Sequence, residues 1–260
     1  MSDRRVIFAI ALSFAGAASI CCADPALEDV TEQHFPIAAT ARISVRNGGG
    51  SIRVYGADTK ELKIQAIKKA YSADRLKQIA VNITVGADEV SIDTKFPPKP
   101  RWGFSDRSGT VDYIIVLPQT CSISDLELSN GEVLVEGIRG RDVHATLGSG
   151  RMFGHNCFGD LHLNVTDGGI DVGYDWWETW RGSIDARVVN GNARVFMPVD
   201  AAFHLIATAI NGHIANDFAE KRDRVSGDLK KIDTVIGGDS ELNLQIHATN
   251  GSIQITEVNL

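Results

Sequence analysis

Apolar residues recur at every second position in short runs along the C-terminal half of the chain, and each run stops at a glycine. Leu126 and Leu128 precede Gly131; Val143, Ala145 and Leu147 precede Gly150; Leu161, Leu163 and Val165 precede Gly168. Ile184, Ala186 and Val188 lead to Gly191, and Leu205, Ala207 and Ala209 lead to Gly212. A shorter alternation follows each glycine, as in Val133 and Val135, Ile170 and Val172, or Ala193 and Val195. Period two with one apolar face predicts strands packed on one side. Gly251 closes the series, with Leu242 to Ala248 before it and Ile253 and Ile255 after it; Gly48, in "ISVRNGGGSIRVYG", opens it.

The glycines fall 19, 18, 23 and 21 residues apart. A strand, Asn-Gly and a strand would by themselves predict a hairpin. A coil makes a stricter demand, that equivalent positions stack so that each rung buries its apolar side chains on the next. Spacing and inward phase repeat together here, which favours the coil. Asn47, Asn130, Asn190, Asn211 and Asn250 precede the glycines, and Asn with Gly tolerates the positive φ of a sharp corner. The expected fold is all-β: a single-stranded parallel β-helix (β-solenoid) of about 18–23 residues per rung, right-handed by the crossover rule. The segments before Gly131, Gly150, Gly168, Gly191 and Gly212 are expected to pair in parallel, successive rungs adjacent.

Residues 36–120 are less regular. "ELKIQAIKKA" reads as a strand with Leu62, Ile64 and Ile67 inward, its alternation slipping once. "SADRLKQIA" reads as a short helix capped by Ser72. Two strands flank Gly86-Ala87-Asp88, residues 96–109 form a Pro/Gly/charged loop, and "VDYIIVLP" re-enters the sheet through Val111, Tyr113 and Ile115. Residues 24–120 thus form an irregular cap with the first rungs, continuous as one domain with the regular rungs of 121–260.

The first 23 residues read as a signal peptide. Arg4 and Arg5 precede an apolar stretch from Val6 to Ala18 and a small-residue segment ending at Ala23. A lipoprotein signal with Cys21 or Cys22 as the lipidated residue is the alternative. The reading places the protein outside the cytoplasm, in the periplasm, secreted or at the cell surface, and not membrane-spanning after cleavage. The chain has 26 Lys+Arg against 33 Asp+Glu, a net charge of −7; no basic patch speaks for nucleic acid. Cys121 and Cys157, the two cysteines left after cleavage, fall two rungs apart. That is roughly 9.6 Å, beyond the roughly 7 Å a disulfide tolerates, so free thiols are expected.

"VRNGGGSIRVYG", "GTVDYIIVLP" and the rungs "GRDVHATLGSG", "GDLHLNVTDGG" and "GSIDARVVNG" together resemble the bacterial "putative adhesin" family, over residues 38–258. The resemblance implies an exported or envelope-associated parallel β-helix, and it brings no catalytic residues. The chain departs from the family where "DVGYDWWETWRGS" enlarges one rung.

That insertion holds Trp176, Trp177 and Trp180, three of the four tryptophans. Exposed aromatics suit a protein or glycan contact, whereas rings folded back would only cover an apolar strip. Trp177, flanked by Trp176 and Glu178, is the candidate contact ring in particular, and Trp102 in the 96–109 loop is a second interaction candidate. Asp171, Asp175, Glu178 and Asp185 lie nearby, and glycosidases use two carboxylates about 5–10 Å apart. A groove lined by Trp102, Trp177 and two carboxylates would favour a polysaccharide-binding or polysaccharide-cleaving protein. No nucleophile elbow, zinc-protease, dinucleotide or phosphate-loop motif occurs, so no catalytic residue and no cofactor is assigned. Stacking would align His144 with His162 and Asp142 with Asp160, the one candidate metal-ligating set. The expected role is non-enzymatic: a rigid face presented to an envelope protein or glycan.

Overall fold

A computed structural model of the chain describes residues 26–98, 109–218, 230–238 and 241–259. These are almost entirely β-strand. Four long strands form the centre, β8 (Ser122–Glu136), β9 (Asp142–His155), β10 (Asp160–Gly173) and β11 (Gly182–Pro198). They pair in parallel and in sequence order, with Gly131, Gly150, Gly168 and Gly191 in register, a solenoid-like run. Asn130-Gly131 and Asn190-Gly191 therefore lie inside strands and reverse nothing. Each strand bends at its glycine, where φ is +135° to +140°. A Cβ on Gly150 would sit 1.8 Å from the Gly131 carbonyl oxygen, and one on Gly191 1.6 Å from that of Gly168. The corner thus excludes side chains by both backbone angle and stacking distance.

Alternation puts the expected residues inside. Leu126, Leu128, Val133 and Val135 of β8 are buried, as are Leu161, Leu163, Val165, Ile170 and Val172 of β10. Across the interior, a Cβ on Gly154 would lie 3.1 Å from Leu161 Cδ2 and 3.3 Å from Leu163 Cδ1. The half of β9 after the corner therefore faces the half of β10 before it.

The stacking order departs from sequence order at both ends. The first rung is split into β2 (Arg42–Asn47) and β3 (Gly50–Ala57), which pair in parallel with the two halves of β8. Gly50, not Gly48, stands in register with Gly131. Asn47 is consequently not a corner residue; it is buried, and its Nδ2 donates to the Val111 carbonyl at 2.7 Å. At the far end β11 does not meet β12 (Phe203–Asn211). The last strands, β15 (Leu242–Asn250) and β16 (Ile253–Val258), lie on β11, and β12 with β13 (Ile214–Asn216) lies beyond them. The rung ending at Gly212 is thus separated from that of Gly191 by one whole rung. Both rungs carry Asn-Gly corners and the same inward phase, so periodicity cannot rank them; β14 (Lys231–Ile236) decides the matter by covering the other edge of β12 in antiparallel fashion.

Antiparallel strands also flank the first rung. β7 (Thr110–Pro118) continues β3 in parallel, β4 (Glu61–Ala70) adds antiparallel to β7, and β1 (Leu27–Pro36) adds antiparallel to β4. On the other half, β6 (Glu89–Lys95) lies parallel to β2 and turns back as a hairpin with β5 (Ala80–Val85). Such additions shield open rung edges from other chains. In β4 the alternation does not slip: Leu62, Ile64 and Ala66 are buried. Ala66 takes the inward place, and Ile67 faces the opposite side in register with Val30 and Asp112. Helix α1 (Ala73–Gln78) is capped by Ser72, whose hydroxyl accepts from the Arg75 amide. Cys121 and Cys157 are buried, free thiols.

Candidate contact site around the tryptophan loop

After Gly173 the chain leaves the ladder and rejoins it at Gly182, so residues 174–181 form the insertion. Tyr174 turns inward, fully buried, and its hydroxyl donates to the Cys157 carbonyl at 2.6 Å. Next to it, the Asp175 amide donates to Asn156 Oδ1 at 2.9 Å while Asn156 Nδ2 donates to Asp175 Oδ2 at 3.0 Å. This reciprocal pair pins the loop to the turn before β10. It also holds Asn156 at φ +51°, the one non-glycine residue among the described residues with positive φ, a conformation Asn tolerates better than most. The Asn156 bond, helped by that of His155 and against the cost of partial burial, holds the Asp175 carboxyl below its usual range.

Phe158 is the hub of the rings. Its centroid lies 5.3 Å from Tyr174, 5.7 Å from Trp176 and 5.0 Å from Trp180. Trp177 stands 4.9 Å from Trp180, 6.3 Å from Tyr174 and 6.4 Å from Phe203 of β12. Trp177 and Trp180 pack against the core, whereas Trp176 is 46 % exposed. Arg139 lies 4.5 Å over the Phe158 ring and donates to Glu178. The loop therefore covers with two indoles and presents the third. Trp102 lies outside the described residues.

The nearby carboxylates are engaged. Asp171 receives both guanidinium arms of Arg194, and Asp185 receives both of Arg187. The shift at Asp175 is downward, opposite to what a general acid needs. The histidine column forms: His144 and His162 are in register and stack at 4.5 Å and 17°. Asp142 lies 3.6 Å from His144, but Asp160 is bound away by the Ser183 amide and hydroxyl at 2.8 and 2.9 Å. Among the described residues no three His, Cys, Asp or Glu converge as a metal would require.

A groove of about 440 Å³ beside this loop carries no sequence motif; Leu134, Phe153, His155, Gly173, Phe196 and Val258 line it, among others. Its walls come from outward positions on successive rungs, far apart in sequence. The signal in the sequence is the spacing from the corner glycines, which puts His155, Gly173 and Phe196 in one column.

No protein-family model matches the chain, and no curated relative matches it. Among the described residues no helix is long and apolar enough to cross a membrane. Among solved structures, a "putative cell adhesion protein" from Clostridium sporogenes superposes with a TM-score of 0.54 at 15% identity, covering 90% of this chain and 100% of that one. A "putative adhesin" from Bacteroides fragilis reaches a TM-score of 0.29 at 10% identity over 88% of this chain and 97% of that one, too low to carry an argument. The likeness to the Clostridium protein is one of fold, over nearly the whole length of both chains.

Proposed function

We propose that the protein is a non-enzymatic, rigid β-solenoid that presents an interaction face outside the cytoplasm, in the cell envelope or at the surface. In this reading residues 1–23 are a removed signal peptide and the remainder is one domain, a right-handed single-stranded parallel β-helix with rungs of about 18–23 residues. The signal-like N-terminus, the in-register rungs and the fold shared with the Clostridium "putative cell adhesion protein" support it. The observation that carries it is Trp176: an indole 46 % exposed on a loop whose neighbouring rings are locked by packing. A large rigid aromatic held out at low entropic cost is what a contact site uses. Trp177 and Trp180 serve as its buttress, which moves the proposed contact one residue from the one the sequence singled out.

The test is a set of single mutants, Trp176→Ala, Trp177→Ala and Trp180→Ala, followed by thermal unfolding and by pull-down from envelope extract with a parallel glycan array. Trp176→Ala should keep the melting temperature and lose the captured partner or glycan. Retained capture by Trp176→Ala would sink the contact reading.

A further inference from the structure

We infer that the groove beside the loop is a binding site for a small organic cation with an apolar body, separate from the Trp176 contact and independent of it. Its shape follows from the ladder. Column neighbours on adjacent parallel strands stand roughly 4.8 Å apart, so His155 and Phe196, one rung to either side of Gly173, flank a gap roughly 9.6 Å wide. Gly173 contributes no side chain to fill it. A Cβ there would meet only His155 Cδ2, at 3.5 Å. Leu134, Phe153 and Val258 complete apolar walls around about 440 Å³, within the roughly 300–1,000 Å³ of small-molecule sites.

Charge selects the occupant. At the end away from the corner, the His155 ring lies between two carboxylates, with Nε2 3.1 Å from Asp175 Oδ1 and Nδ1 3.5 Å from Glu136 Oε1. Two carboxylates against one imidazole leave this end net negative whichever protonation state His155 takes. Towards the corner, Asp171 is neutralised by its two bonds from Arg194, and Arg151 stands beside Phe153. An anionic ligand would therefore face the Asp175 carboxylate at this end, with that of Glu136 across the His155 ring. A sugar ring would bring hydroxyls to the carboxylates but no charge to balance theirs. A wholly apolar ligand would strip water from Asp175 and return nothing. An ammonium group matches the acceptors with donors and balances their charge, while the body it carries fills the apolar walls.

Three probes share one phenyl body and differ in charge: phenethylammonium, 2-phenylethanol and 3-phenylpropionate, each titrated into the full protein and followed by NMR. Phenethylammonium should bind about tenfold more tightly than the alcohol, and the carboxylate should not bind. Glu136→Gln, and separately Asp175→Asn, should lower the cation's affinity toward the alcohol's. Gly173→Leu should block all three probes while leaving thermal unfolding unchanged, since the glycine there needs no special backbone angle. Equal binding of amine and alcohol, preferential binding of the carboxylate, or undiminished binding in Gly173→Leu would each overturn the proposal. So would saturable binding of methyl glucoside at this groove in place of the amine.

Discussion

A single hydrogen replaced by a methyl group distinguishes the corner glycines from those elsewhere in the strands. Gly150→Ala forces a left-handed backbone angle and drives a Cβ to 1.8 Å from the carbonyl below. Left-handed geometry alone costs about 1–2 kcal/mol, and the clash adds to it. The expected loss exceeds about 2 kcal/mol by urea denaturation, whereas Gly173→Ala, with ordinary contacts, should stay within about 0.5 kcal/mol. Tyr174→Phe is a different kind of probe, since it leaves the buried Cys157 carbonyl without its donor. A cost of about 1–2 kcal/mol is expected by the same measurement. Residue by residue, the sequence was most legible where one residue type fits one requirement. The corner glycines from Gly131 to Gly191 are legible directly, whereas the opening corner stands at Gly50 and not Gly48. Asn47 was misread because Asn before Gly looks the same whether its amide faces solvent or, as here, caps a carbonyl inside.

Among the elements, the insertion behaves as two parts. Trp180 packs on Phe158, Tyr174 and Trp177, so Trp180→Ala should cost about 2–3 kcal/mol in thermal or urea unfolding. Trp176 contacts the Phe158 ring and is 46 % exposed, so its removal should cost under about 1 kcal/mol. Equal losses at both positions would erase the distinction between buttress and contact. The sequence announced this element because three indoles in five residues are unusual for a surface loop, but it did not say which ring stays outside. That depends on Phe158 and Phe203, which belong to neighbouring rungs. The corner asparagines show the same limit. Asn211 donates to Asn250, Asn250 to Asn190 and Asn190 to Asp167, each at 2.8 Å. The members of this ladder were visible in the sequence, whereas their order was not.

Across the whole molecule, burial sets the response to alkali. Burial pushes the Cys157 thiol from 9.0 up to about 11, backbone hydrogen bonds pulling slightly the other way. It pushes the Tyr113 hydroxyl from 10.0 up to about 12, against the Thr94 hydrogen bond. Both groups are neutral in the fold and ionise earlier in the unfolded chain, so the unfolded chain releases protons first as pH rises. The stability that Cys157 contributes is complete below about pH 9 and is lost as pH climbs through about 11. The expected loss from this thiol alone is about 2–3 kcal/mol. Urea midpoints measured from pH 8 to 11 should fall, and fall less in Cys157→Ala; parallel slopes in the two proteins would contradict this. Length, β content and the parallel run were legible at this scale because every rung repeats one local rule. The order of the last rungs was not, because it rests on a strand that reaches back between two others. That reach has a consequence in time. A chain made or passed through a pore from its N-terminal side completes the interior only when β15 and β16 are free. Until then β11 and β12 wait with unfilled backbone edges between them, so the native order of rungs waits on these two strands.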